Sequence, residues 1–146
     1  MDQAGDGDRS RSAEVVDRVP LLAFLGLEVV ETHSTHVSSV SMKLGPRVQN
    51  PLGVPHGGAV ATLMDHTGGM AASELCGRGG PTVDLHVRYL ATPRDSSSIR
   101  ADATVVQKGR SLIVVEIKVH DDHERLLAIG SLTVAPRPDR LEPTPD

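Results

Sequence analysis

Aromatic side chains are almost missing from this chain of 146 residues: there is no tryptophan, and Phe24 and Tyr89 stand alone. Val, Leu, Ile and Ala must therefore build the core, and no stacking platform for single-stranded nucleic acid is present. A basic excess is missing as well. Fifteen Lys and Arg stand against 19 Asp and Glu, a net charge of −4 that leaves no footprint for duplex phosphates. Cys76 is the one cysteine, which excludes an intramolecular disulfide and suits a reducing compartment. At a helix end before Gly77 it reads as a small packing residue, not a nucleophile. The longest apolar run is too short to span a bilayer, and a start containing Asp2, Asp6 and Asp8 lacks the apolar core of a secretion signal. A cytoplasmic protein without membrane or nucleic-acid partners is expected.

What is present suggests one domain, long enough to bury roughly two thirds of its unfolded surface. Residues 1–12 and the Pro-rich 136–146 offer little to bury and read as tails flanking a domain over 13–135. Ala13 to Phe24 reads as a short helix interrupted at Pro20. Strands follow from Leu27 to about Thr32 and from His36 to Leu44, the second alternating Val40, Met42 and Leu44 with Ser39, Ser41 and Lys43. A helix from about Gly58 to Leu75 precedes four strands. Thr82 to Leu90 sets Val83, Leu85, Val87 and Tyr89 on one face; Ile99 to Val105 repeats the alternation; Leu112 to His120 and Leu126 to Val134 form a hairpin around Asp121–Glu124. One antiparallel sheet carrying one main helix, an α+β fold, buries both apolar faces. Gly68, Gly69, Ala71 and Ala72 make that helix intrinsically poor, each Gly costing about 1 kcal/mol against Ala. It should therefore be wrapped tightly by a curved sheet or by another chain.

The densest chemical signal is Asn50-Pro-Leu-Gly-Val-Pro-His56-Gly57-Gly58, followed by Asp65 in a segment otherwise free of Asp, Glu, Lys and Arg up to Ser73. A loop ending in two glycines lets a ligand approach the backbone, and the helix that starts there presents unsatisfied N–H groups and a positive dipole end. Such donors suit a developing oxyanion, and Asp65 supplies a carboxylate. From Gly57 to Asp65 is about 12 Å along a helix, too far for both to touch one reacting group. Reacting groups must approach to about 3.5 Å, so the carboxylate should come from a second chain, unless the loop before Gly57 folds back.

Asn50, His56-Gly57-Gly58, Thr62-Leu63, Asp65, Gly68-Gly69, the run Thr82 to Leu90, Gly109-Arg110 and the closing Leu127 to Thr133 form one ordered set. In these residues, over roughly 20 to 135, the chain resembles the hot-dog-fold acyl-CoA thioesterases of the phenylacetic acid degradation (PaaI-type) branch. The resemblance implies a curved sheet of about six strands around a central helix, dimers joined edge to edge, and usually a tetramer. It implies that the Gly57 amide polarises the thioester carbonyl and that Asp65 is nucleophile or general base. Asn50 would orient the thioester or the water, Thr82 would position the water or the carboxylate, and His56 would shape the loop. A related branch has Glu where this chain has Asp65 and Thr where it has Gly69.

Arg88, Arg94, Arg100, Lys108 and Arg110 give residues 88–110 a positive bias, and Arg88, Lys108, Gly109 and Arg110, with Gly58, are the candidates for holding the substrate and its coenzyme A phosphates. His120-Asp121-Asp122-His123 lies in a tight hairpin, where Asp is a turn former, so no metal is expected there. No separate cofactor is expected, coenzyme A being part of the substrate. No Gly-x-Ser-x-Gly elbow is present for a hydrolase of another fold. Two other readings are an acyl-CoA-binding or regulatory domain without turnover, and hydratase chemistry, whose families pair His with a carboxylate in a different motif.

Overall fold

The computed structural model describes residues 14–137 other than 33, 35 and 78. The expected tails therefore lie outside the described residues, except Pro136 and Arg137, and so does the Cys76 side chain. A helical segment over 14–18 breaks at Val19, and a short helix, Pro20–Leu25, restarts with Pro at its first turn. Gly26 closes it at φ 69, its N–H bonding Ala23 O and Leu22 O.

Six strands follow in one antiparallel sheet: β1 Leu27–Val30, β2 Val37–Lys43, β3 Thr82–Tyr89, β4 Ser98–Lys108, β5 Ile113–Asp121 and β6 Leu126–Val134. Their order in space is β1-β2-β4-β5-β6-β3, so β1 and β3 are the edges. The central helix, Gly57–Cys76, connects β2 to β3 and crosses the sheet between them. The boundaries expected from alternation hold with local differences. β1 stops at Val30 because Thr32 turns, its hydroxyl within 3.1 Å of Ser34 O and 3.0 Å of Val37 O. β4 runs on to Lys108 through a bulge at Val105/Gln107, which swings Val106 outward.

Alternation explains the layering. Ile113, Val115, Ile117 and Val119 point at the helix and are buried, whereas Glu116 and Lys118 face outward. Val40, Met42, Ala101 and Ala103 are fully covered in the same layer, opposite Leu63, Met64, Thr67 and Ala71 of the helix. Ser39 departs from the alternation, being buried on the outer face where its hydroxyl meets Asp102 Oδ1. Close approach accounts for Gly68: a Cβ there would come 2.5 Å from Leu132 Cδ2 and 3.0 Å from Ile117 Cδ1. Gly69 has no such neighbour, with nothing within 4 Å among the described residues.

β3 is less covered than its alternation suggests. Leu85 and Val87 are half-buried, but Val83 and Tyr89 are 56% and 53% exposed. The cause is its place at the sheet edge, bonded only to β6.

Candidate active site

The loop before the central helix is organised by Asn50. Its Oδ1 accepts from the N–H of Leu52 at 2.9 Å and of Val54 at 3.3 Å, and its backbone bonds Val54 and Gly53 at 2.8 and 3.0 Å. The side-chain oxygen is therefore engaged, and the Nδ2 group is left to donate elsewhere. His56 N–H is tied to Val48 O, and the His56 Nδ1 accepts from the Gly58 N–H at 2.8 Å, making this histidine the N-cap of the helix. Nδ1 thus carries no proton in this arrangement. The His56 carbonyl accepts from Ala59 and Val60. What remains is the Gly57 N–H, which has no acceptor among the described residues.

Beside that N–H lies an apolar cavity of about 350 Å³. Val60, Ile99, Val119, Leu127 and Ala128 line it, and Asn50, Gly57, Tyr89 and Thr92 are among its polar lining residues. This is the volume range of small-molecule sites. Tyr89 closes one side, its hydroxyl donating to Gly57 O at 2.5 Å.

Asp65 lies two turns down the helix, where Thr82 Oγ1 donates to its Oδ1 at 2.8 Å. The helix is continuous from Gly57 to Cys76, so the loop does not fold back to shorten the separation. Within one chain the Gly57 amide and the Asp65 carboxylate stay about 12 Å apart along the axis. The sequence-derived residues thus fall into two groups: Asn50, His56, Gly57 and Gly58 at the helix start, Asp65 and Thr82 further along.

The basic candidates are also divided. Lys108 pairs with Ile113, which pairs with Val134, which pairs with Thr82, so the Lys108-Gly109-Arg110 turn lies at the Thr82 end of the sheet. Gly109 makes that turn, its N–H bonding Leu112 O at 2.9 Å. Arg88 pairs with Ile129 and lies level with Lys118, five residues from Ile113 and so about 17 Å from the turn. With His86, Glu116 and Lys118 it lines a second hollow, of about 300 Å³. In the 120–123 turn, Asp121 Oδ1 accepts from the N–H of His123 and Arg125, and Asp122 Oδ2 from Ser97.

Two residues near the site were not singled out from the sequence. Tyr89 could have been found as the chain's one tyrosine, inside a motif already noted. His66, next to Asp65, has a buried Nε2 without a partner among the described residues. Burial lowers its pKa against the opposing pull of Asp65 and Glu74. No described helix is long and apolar enough to cross a membrane.

Comparison with known proteins identifies the family of the chain. The Thioesterase superfamily matches residues 52–128, which contain the Gly57 turn, Asp65 and Thr82. The Bacillus subtilis protein ComA2 is 30% identical over 118 residues, 79% of this chain and 92% of that one. The 1,4-dihydroxy-2-naphthoyl-CoA hydrolase of Listeria monocytogenes is 26% identical over 118 residues, covering 80% and 94%. The solved structure of the E. coli PaaI protein superposes with a TM-score of 0.79 over 90% of this chain and 94% of that one. At 15% identity that likeness shows the fold and not the branch. Fold and matches together establish that the chain belongs to the Thioesterase superfamily, with the hot-dog fold and the thioester hydrolysis of that family.

Proposed function

We propose that the protein is an acyl-CoA thioesterase whose site is shared between two subunits. The observation that carries this is the free Gly57 N–H at the positive end of a 20-residue helix, opening beside an apolar cavity. A thioester carbonyl held there by Gly57, with its acyl group in the cavity, gains stabilisation as negative charge grows on its oxygen. The Asn50 Nδ2 group is available to orient the thioester or the water. Asp65 of the partner subunit, steadied by the partner's Thr82, then activates water or attacks directly, releasing a carboxylic acid and free CoA.

The open edge of β3 supports the sharing. Tyr89, against Gly57, lies at one end of this strand, and Thr82, against Asp65, at the other. Antiparallel pairing of β3 with a second copy lays Asp65 of the partner subunit beside Gly57; parallel pairing does not. The same pairing brings the partner's Lys108–Arg110 turn to the shared site, where its cations suit the phosphates of coenzyme A. Arg88 stands apart from this arrangement. The Listeria relative, named as a hydrolase of an aryl-CoA thioester, supports the substrate class.

Asp65→Asn tests the reading. Thiol release from a panel of aryl and fatty acyl-CoAs should fall by about 100-fold or more with the fold intact. Near wild-type turnover overturns the assignment. A second reading, a binding domain without turnover, is favoured by Gly69, which supplies no hydroxyl where the related branch has Thr. Calorimetry showing tight acyl-CoA binding by the wild type, with no product formed, would select it.

A further inference from the structure

The oxyanion donor sits in a turn that is loose by composition. Gly57 and Gly58 open the central helix, and two successive glycines have more backbone freedom than any other pair. A donor stabilises a transition state best when it is already aimed. Two side chains restrain this turn, and both act on one peptide unit. Tyr89 Oη donates to the Gly57 carbonyl at 2.5 Å, and the Gly58 N–H of the same unit donates to His56 Nδ1 at 2.8 Å. The amide plane is held from both sides. The Gly57 N–H shares its own plane with the His56 carbonyl, which the Ala59 and Val60 N–H groups hold, and the fixed plane on the far side of Gly57 adds resistance to any rotation there.

Tyr89 is placed beside the Gly57 turn. It is one of two aromatics in the chain, yet it is outside the core and 53% exposed. Its ring covers Gly57 so closely that a Cβ there would come 3.1 Å from Oη and 3.3 Å from Cζ. The backbone beneath it is anchored by pairing with Ala128 and by Leu90 and Ala91 N–H groups that both donate to Leu127 O.

We propose that Tyr89 is a positioning residue for the reaction: its hydroxyl holds the Gly57–Gly58 peptide so that the Gly57 N–H is aimed at the substrate carbonyl, and its ring walls the acyl cavity beside that donor. The inference rests on the assignment of Gly57 as oxyanion donor and adds the group that aims it. Tyr89 touches no reacting atom and transfers no proton. Desolvation raises its pKa above the ordinary value, so it stays a donor at neutral pH.

The test uses the full chain with Asp65→Asn, which should bind substrate without consuming it, and whichever of benzoyl-CoA and octanoyl-CoA calorimetry shows to bind. The carbonyl stretch of the bound, isotope-labelled thioester should lie below its frequency in water, and adding Tyr89→Phe should return most of that shift. With Asp65 restored, Tyr89→Phe should lower kcat about tenfold and leave KM within about twofold. No shift with Asp65→Asn alone, or binding of neither thioester, removes the oxyanion assignment and the Tyr89 role with it. A shift that is present but unchanged by Tyr89→Phe, or an unchanged kcat, removes the Tyr89 role only. Because the chain has a single tyrosine, fluorotyrosine supplied during expression labels position 89 alone. Should Tyr89→Phe not fold, the fluorine resonance of the labelled Asp65→Asn protein decides: movement on saturation with the bound thioester supports the role, and an unmoved line overturns it.

Discussion

At the scale of single residues, His66 makes a pH-dependent contribution that its neighbour Asp65 does not reveal. The two side chains leave the helix about 100° apart, and the His66 Nε2 is buried without a partner among the described residues. Burial holds its folded pKa below the ordinary value of 6.5. The unfolded chain therefore binds a proton more readily, and the folded state loses stability as pH falls through about 6.5. Thermal melts between about pH 8 and 5 should show Tm dropping with acid, and His66→Leu should flatten that drop. An equal slope in both proteins would assign the acid sensitivity to other groups.

At the scale of elements, the two central glycines of the helix separate by what lies over them. A side chain at Gly68 would drive into Leu132 and Ile117, both fully buried, so Gly68→Val should cost about 2 kcal/mol by overpacking. Gly69 faces open space, so Gly69→Ala should gain about 0.5–1 kcal/mol from helix propensity. Urea unfolding of both variants checks the pair; a destabilised Gly69→Ala would mean that another chain packs on that spot. The β5–β6 hairpin supports the cavity in turn. Ser97 donates its N–H and its hydroxyl to Asp122 Oδ2, both at 2.9 Å, and these bonds hold the Asp122 pKa at about 2. His123 Nε2 lies 2.9 Å from Asp95 O. The segment so latched follows Leu90 to Pro93, which line the cavity. Asp122→Ala should raise KM for acyl-CoA more than it lowers kcat and should speed amide exchange at Ser97. If KM does not move, the cavity wall is held by other contacts.

At the scale of the whole molecule, activity should require two chains. An Asp65→Asn chain and a Gly57→Pro chain each lack one half of the shared site. Pro removes the amide donor at a first-turn position whose backbone admits it, after a His56 already extended at ψ 134, provided that the Tyr89 ring, 3.1 Å from a Cβ there, gives way slightly. Each parent should be inactive alone, and their mixed dimer should regain about one intact site of two. If both parents fold and exchange subunits while the mixture stays inactive, the oxyanion donor and the carboxylate are not shared in this way.

Strong local signals carried most of the fold. The two-residue alternation of β4, β5 and β6 and the Pro and Gly boundaries of the helices are written in side-chain periodicity and backbone permissiveness, so they are legible without any tertiary contact. So is the 12 Å gap between Gly57 and Asp65, because helical rise is a constant of the backbone. The tertiary structure decided what depends on contacts distant in sequence. β3 reads as half-buried, and only its place at the sheet edge leaves Val83 and Tyr89 exposed. Arg88 and the Lys108–Arg110 turn form one basic stretch in sequence, and strand register sets them apart. His56 is a loop histidine in sequence and an N-cap in space, which leaves Gly57 and not Gly58 with the free amide. Tyr89 meets Gly57 across 32 residues, a contact that no local period encodes, because it forms only when the edge strand and the start of the central helix meet.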